Sequence, residues 1–220
     1  MRKPRADGQE TRQNLLMAAA EVFAEKGYWE ATNADICAKA MANIAAINYH
    51  FGSKDNLYIE AWKYSFDKTM QRYPPEGGLT SEAPAQQRLR SRILSFMRCI
   101  ADPETHDFEI LHKEMANPTG LLTEIVESNV IRIEQGFRVI LDEILGDKVS
   151  DRQIRLCQMS LLGQCFGPML HLRHRKEGRD YPPPRELPSD FTIEELADHI
   201  ILFSLTGING IRDEINNTKS

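Results

Sequence analysis

The chain has no apolar run approaching the roughly 20 residues needed to span a bilayer, and its basic first residues are not followed by an apolar stretch. Neither a membrane span nor a secretory signal is expected. Cysteine is sparse: Cys37, Cys99, Cys157 and Cys165 form no CxxC pair and no framework spacing, which excludes a disulfide scaffold. Each falls in a helical pattern and reads as a small buried hydrophobe in a reducing cytosol, with a cytoplasmic location expected. A thiol sensor built from Cys157 and Cys165, two turns apart on one helix face, is the alternative. Strand-like alternation and internal repeats are missing, which leaves an all-α class. Glycine-rich phosphate loops, catalytic-triad contexts and spaced metal sets are missing as well, so an enzyme is not expected and no cofactor is implied. His171 and His174 stand at i, i+3 without a third ligand, and Arg173, Arg175 and Lys176 beside them suit the cationic end of a helix.

Net positive charge is also lacking, since the 220 residues carry −5. The total hides a split. Residues 1–54 hold seven Lys/Arg and six Asp/Glu, a net of +1, and the other 20 basic and 26 acidic residues give −6. The acidity is distal, and Arg2, Lys3 and Arg5 form either an arm along phosphates or a merely soluble tail. With 41% apolar and 27% charged residues the chain is an ordinary globular one, long enough for one large or two small domains.

The stretch Thr32–Lys54, TNADICAKAMANIAAINYHFGSK, reads as two short helices around a three-residue break, then a glycine turn. Thr32 can cap the first helix, with Asp35 three residues on. Ile36 and Ala40 share its apolar face. Asn43 starts the second helix, where Ile44, Ile47 and Phe51 are expected on one side and Ala45, Ala46, Asn48, Tyr49 and His50 on the other. Small, amide and aromatic groups opposite an apolar side suit a groove reader, because Asn pairs with adenine edges and Ala meets a thymine methyl. The pair therefore reads as a helix-turn-helix.

Thr11 to Leu57 resembles the DNA-binding domain of TetR/AcrR-type bacterial transcription regulators. The resemblance is carried by Leu15-Leu16, Phe23, Gly27-Tyr28, Thr32, Asp35-Ile36, Ile47, Tyr49-His50-Phe51 and Gly52-Ser53-Lys54 in register. Asn43 to Ile47 together with Lys113 to Thr119 (KEMANPT) is further similar to the CecR-like subgroup. The resemblance implies phosphate contacts for Tyr49, His50 and Lys54, with Thr32 and Asn33 on the opposite phosphate edge. Asn43, Ala45, Ala46 and Asn48 are the base-edge candidates. No Arg or Lys on the second helix can serve a guanine, so operator positions rich in A·T are expected under it. The family usually has glycine where Met41 stands. A left-handed backbone there would cost a methionine about 1 kcal/mol, and an ordinary turn conformation is the alternative.

Elsewhere the pattern predicts helices over Thr11–Lys26 (stopped by Gly27), Ser53–Arg72, Gln86–Ile100, Glu104–Ala116, Pro118–Leu145, Asp151–His174 and Thr192–Ile215. A linker covers 74–84 and a proline-rich loop 175–190. The expected organisation is a three-helix DNA-binding domain over 1–54 and a helical ligand-binding and dimerisation domain over 55–220. Pocket candidates are Phe96, Met97, Phe108, His112 and Met115, and on later helices Phe137, Met159, Phe166 and Met169. Each of these could equally be plain core, and His112 is the candidate polar anchor. Gly163 and Gly167, with Gly207 and Gly210, permit close helix approach in a four-helix dimer seam, and Pro168 is expected to kink its helix. The resulting expectation is a repressor that binds a pseudo-palindromic double-stranded DNA operator as a homodimer and is released by a small, partly apolar inducer. A DNA-binding adaptor without a small ligand, and more remotely an all-helical enzyme, are the competing readings.

Overall fold

The computed structural model describes residues 4–176 and 191–218. The basic arm (Arg2, Lys3 and the Arg5 side chain), the His171 and His174 side chains and most of the 175–190 loop lie outside what is described. Among the described residues there are nine helices and no strand: α1 (Pro4–Glu30), α2 (Asn33–Ala40), α3 (Ile44–Phe51), α4 (Lys54–Arg72), α5 (Ala85–Ala101), α6 (His106–Ala116), α7 (Thr123–Leu145), α8 (Asp151–Lys176) and α9 (Ile193–Thr218). They form two compact units. One joins Met1–Arg72 to Glu104–Glu127, and the other joins Tyr73–Pro103 to Ser128–Ser220. No helix among the described residues is long and apolar enough to cross a membrane.

The first unit is built on α1, whose Leu15, Ala19 and Phe23 are fully buried with Ile36, Ile47, Leu57, Ala61 and Ile110. Gly27 breaks the α1 backbone as expected (φ 73°, ψ 174°), yet the chain resumes for one more turn, to Glu30. Glycine suits the position because φ is positive, whereas space is not limiting: a β-carbon would meet Lys113 Cδ at an ordinary contact distance of 3.4 Å. Thr32 and Asp35 then form a reciprocal capping box: Thr32 Oγ1 accepts from the Asp35 amide at 3.1 Å, and Asp35 Oδ2 accepts from the Thr32 amide at 3.0 Å. The Lys26 ammonium, 2.9 Å away, and then Thr32 hold the Asp35 carboxyl down at about 2. The folded value lies below the ordinary carboxylate range. This cap is therefore fully formed above about pH 4 and is lost as pH falls toward 2.

Met41 ends α2 in the left-handed region (φ 51°, ψ 40°) with its side chain 94% exposed. The Ala42 amide donates back to Cys37 O at 3.0 Å, closing the helix end. The strained alternative is thus the one adopted.

The KEMANPT run has a local task. Glu114 is buried at the end of α6, where its carboxylate accepts from Tyr58 OH (3.0 Å), the amides of Thr119 (2.8 Å) and Gly120 (3.0 Å), and Thr119 Oγ1 (2.9 Å). One carboxyl group collects the donors of the loop after α6 and joins that loop to α4. The loop also corrects the expected helix start at Pro118, because α7 begins only at Thr123. Gly120 takes a positive φ (78°), which a right-handed helical turn does not accommodate, so residues 118–120 stay outside the helix. At the other end of α6, Trp62 Nε1 donates to Asp107 O (3.2 Å) and Thr69 Oγ1 to Asp107 Oδ1 (2.5 Å).

In the second unit α5 packs on α8 and α9. Leu89, Ile93, Met97 and Ile100 are buried with Phe137, Leu141, Leu161, Cys165 and Met169. Arg173 is fully buried and donates to Ile100 O (3.2 Å) and Asp102 O (2.7 Å), satisfying the carboxyl end of α5. Thr192 and Glu195 make the expected capping box at α9. α8 stays helical through Pro168. Burial pushes the Cys165 thiol up to about 12 and raises that of Cys157, the opposite of what a reactive thiolate requires.

Two substitutions test these features. Met41→Gly should stabilise the chain by about 1 kcal/mol in denaturant unfolding, and an unchanged or lower midpoint would contradict a strained turn. Glu114→Ala should cost about 2–3 kcal/mol, because it leaves the buried Tyr58 hydroxyl without an acceptor and releases the Thr119 and Gly120 amides that hold the loop.

Candidate nucleic-acid interface

α3 lies on the first unit with Ile47 fully buried and Phe51 nearly so, while Asn43 caps its start by accepting the Ala46 amide at 2.9 Å. Fixing that underside fixes what faces outward. Ala45, Asn48 and Tyr49 are exposed, Tyr49 to 82%, and Ile44 joins them at 52%. The expected placement of Ile44 on the buried side is therefore corrected. It sits in the first turn, beyond the edge of the core, whereas Ala46 is half-buried and packs against the core in its place. Residues at i, i+1, i+4 and i+5 of α3 thus form one outward strip, flanked by half-buried Ala46 and His50. Tyr49 and His50 meet edge to face at 4.8 Å.

α2 is braced from behind. Lys39 pairs with Glu21 at 2.5 Å and Glu25 at 3.2 Å on α1. Thr32 is exposed but committed to its cap, and Asn33 is half-buried. Lys54 is engaged within the unit. Its Nζ donates to Tyr28 O at 2.7 Å and stands 4.2 Å from the Tyr28 ring centroid. Tyr28 OH in turn donates to Asp55 at 2.5 Å, a bond that pushes the phenol up to about 12. This clasp ties the start of α4 to the turn after Gly27. Sequence reasoning missed it, although the Gly27-Tyr28 pair and Lys54 were both conspicuous. Arg12, above the Phe51 ring at 5.1 Å and paired with Glu60 at 3.1 Å, ties α1 to α4 on the other side.

The remaining candidates fall in two groups. Phe108, His112 and Met115 belong to the first unit, where Phe108 is half-buried, His112 exposed and Met115 73% exposed. In the second unit Met97, Phe137 and Met169 are fully buried, and Phe96 meets Phe137 at 5.9 Å and Phe166 at 5.3 Å, both edge to face. Met159 is 69% exposed and Phe166 38%. Gly163, Gly167, Gly207 and Gly210 all face open space, where an added β-carbon would meet nothing within 4 Å. Beside them Leu156 on α8 and Leu202 and Phe203 on α9 are more than half exposed. Among the described residues no group of three or more His, Cys, Asp or Glu side chains is placed to hold a metal.

Known proteins share both parts of this arrangement. Residues 15–61 match the bacterial regulatory proteins of the tetR family, and residues 85–208 match the C-terminal domain of the HTH-type transcriptional dual regulator CecR. CecR of Shigella flexneri is 26% identical over 167 residues, covering 71% of this chain and 74% of that protein. A TetR-like transcriptional regulator from Rhodococcus sp. RHA1 superposes with a TM-score of 0.69 at 18% identity, over 95% of this chain and all of that one. AibR, solved with isovaleryl coenzyme A and operator DNA, does so with 0.63 at 16% identity, over 88% and 97%. With more than half its length matching one such domain and its helix-turn-helix matching another, the chain belongs to the TetR family of bacterial transcription regulators, on the CecR branch, a family of regulators rather than enzymes.

Proposed function

We propose that the chain is a ligand-responsive repressor that works in the cytoplasm, binding a pseudo-palindromic operator as a homodimer and leaving it when a small, partly apolar inducer binds. The observation that carries this reading is the outward strip of α3. Asn48, Ala45 and Ile44 offer one amide and two apolar groups to base edges, Tyr49 offers a hydroxyl to a phosphate, and the underside is locked in place. Asn43 contributes to the entry of the helix through its cap rather than by reaching a base, and Thr32 and Asn33 set α2 against the backbone. His50 and Lys54 steady the strip from its flank.

The exposed Leu156, Met159, Leu202 and Phe203, with four open glycines on the same two helices, support a dimer seam on α8 and α9. Large apolar side chains facing water beside glycines that pack on nothing fit a second copy approaching closely. A two-fold dimer would space its half-sites by about one helical turn or a multiple of it. Phe96, Phe137 and Phe166, backed by Met97 and Met169, are the ground for an effector, and AibR shows that a protein of this fold can hold a ligand and operator DNA together.

Fluorescence anisotropy on a site selected from random DNA tests the first part. Asn48→Ala should weaken binding by about 1–3 kcal/mol and relax preference at one A·T pair. A half-site core dominated by G·C, or full affinity in the variant, would count against the strip. Phe203→Glu should give a monomer in light scattering and reduce operator affinity at least about 100-fold, since a desolvated seam does not tolerate an unpaired carboxylate. A dimer that persists in the Phe203→Glu protein would move the seam elsewhere.

A further inference from the structure

Two arginines stand one turn apart on the buried side of α5. Arg88 and Arg92 are 7% and 6% exposed, and each meets a carboxylate whose own side chain is about half exposed: Glu143 (53%) for Arg88 and Glu76 (51%) for Arg92. The surroundings of Arg92 are shaped for its guanidinium. α7 has glycine at Gly136, where a β-carbon would lie 2.2 Å from Arg92 Nη1, and the guanidinium carbon stands 5.4 Å from the Phe137 ring centroid. Burial lowers the Arg92 pKa and Glu76 opposes that fall.

The pairing is incomplete in a particular way. Glu76 accepts from Nη2, and among the described residues the Nε–H on the same edge of the guanidinium has no acceptor. That edge is the one that takes a carboxylate through two parallel bonds. Glu76 reaches it from a surface turn, not from a core helix. The turn is held on α5 by Ser91 Oγ donating to Glu76 O (3.1 Å) and Ser95 Oγ donating to Pro74 O (2.8 Å). One turn beyond Arg92 comes Phe96, with Phe137 and Phe166 around it. Arg88, Arg92 and Phe96 follow at i, i+4 and i+8, so one helix face runs from cationic to aromatic.

We propose that Arg92 is an anion seat of the effector site, held in the ligand-free chain by Glu76, and that the effector is an amphipathic carboxylate. Its head takes both Nε–H and Nη2–H of Arg92 and displaces Glu76, and its apolar part lies along Phe96, Phe137 and Phe166. The inference rests on the reading of this unit as the effector-binding one.

The test uses the full chain without DNA, with decanoate as probe and decanol as its uncharged control, read by thermal shift and titration calorimetry. Decanoate should raise the melting temperature and decanol should not. Glu76→Gln removes the internal competitor, so this variant should melt lower alone, regain stability with decanoate, and bind it at least about tenfold more tightly. Arg92→Gln should bind decanoate and decanol equally poorly. Equal shifts from the two probes in the natural chain, or a Glu76→Gln protein that decanoate does not rescue, would leave a purely structural ion pair and overturn the proposal. Because no DNA is present, the anion seat can fail while operator binding stands, and the reverse.

Discussion

Burial of Ile47 and Phe51 beneath α3 is the constraint from which the reading strip follows. A helix of eight residues has little stability of its own, so its orientation is set by what its underside touches. With Ile47 at zero exposure there is one rotation about the helix axis that keeps the core closed. That rotation turns Ile44, Ala45, Asn48 and Tyr49 to solvent. The surrounding devices serve the same end: the Asn43 cap, the left-handed turn at Met41, and the Lys54–Tyr28–Asp55 clasp each remove one way for α3 to tilt.

Much of this was legible in the residues. The Thr32/Asp35 capping box, the backbone break at Gly27, the Thr192/Glu195 cap and the all-helical class follow from local chemistry that tertiary packing leaves alone. Ile44 and Ala46 exchanged roles because a period of 3.6 fixes angles within a helix but not where the core ends along it. Pro118 misled for a similar reason. It suits a first helical turn, but Gly120 two residues on takes a positive φ, and the loop it belongs to is gathered by Glu114, whose partners are 5, 6 and 56 positions away. The contact of Lys54 with a backbone carbonyl 26 residues earlier was not legible, because a carbonyl carries no sequence signal. The helices over residues 104–127 were visible, but nothing local indicates that they pack with α1 and α4 rather than with their sequence neighbours.

Charge is handled differently in the two units. In the first, the ion pairs lie on the surface, where they orient α1, α2 and α4 at little desolvation cost, while the buried carboxylates of Asp107 and Glu114 accept from hydroxyl and amide donors. In the second, three guanidinium groups are buried among the described residues, and each is kept by acceptors brought to it: two backbone carbonyls for Arg173, the Ala83 carbonyl and a half-exposed carboxylate for Arg88, and a half-exposed carboxylate for Arg92. The carbonyls are fixed by the backbone itself, whereas the carboxylates can be withdrawn. Arg173 is therefore part of the architecture, Arg88 is held partly by backbone, and Arg92 stands where a change of partner is physically available.

The two tryptophans have a consequence for how this molecule is watched. Trp62 is buried and bonded to Asp107 O, Trp29 is 59% exposed at the turn after Gly27, and both belong to the first unit. Indole emission will therefore follow the loss of that unit alone, while the other half of the chain can melt without altering the signal. A single smooth fluorescence transition would look like all-or-none unfolding when only one half had been observed. Far-ultraviolet dichroism, which registers every helix, has to be recorded beside it before one free energy is assigned to the whole polypeptide.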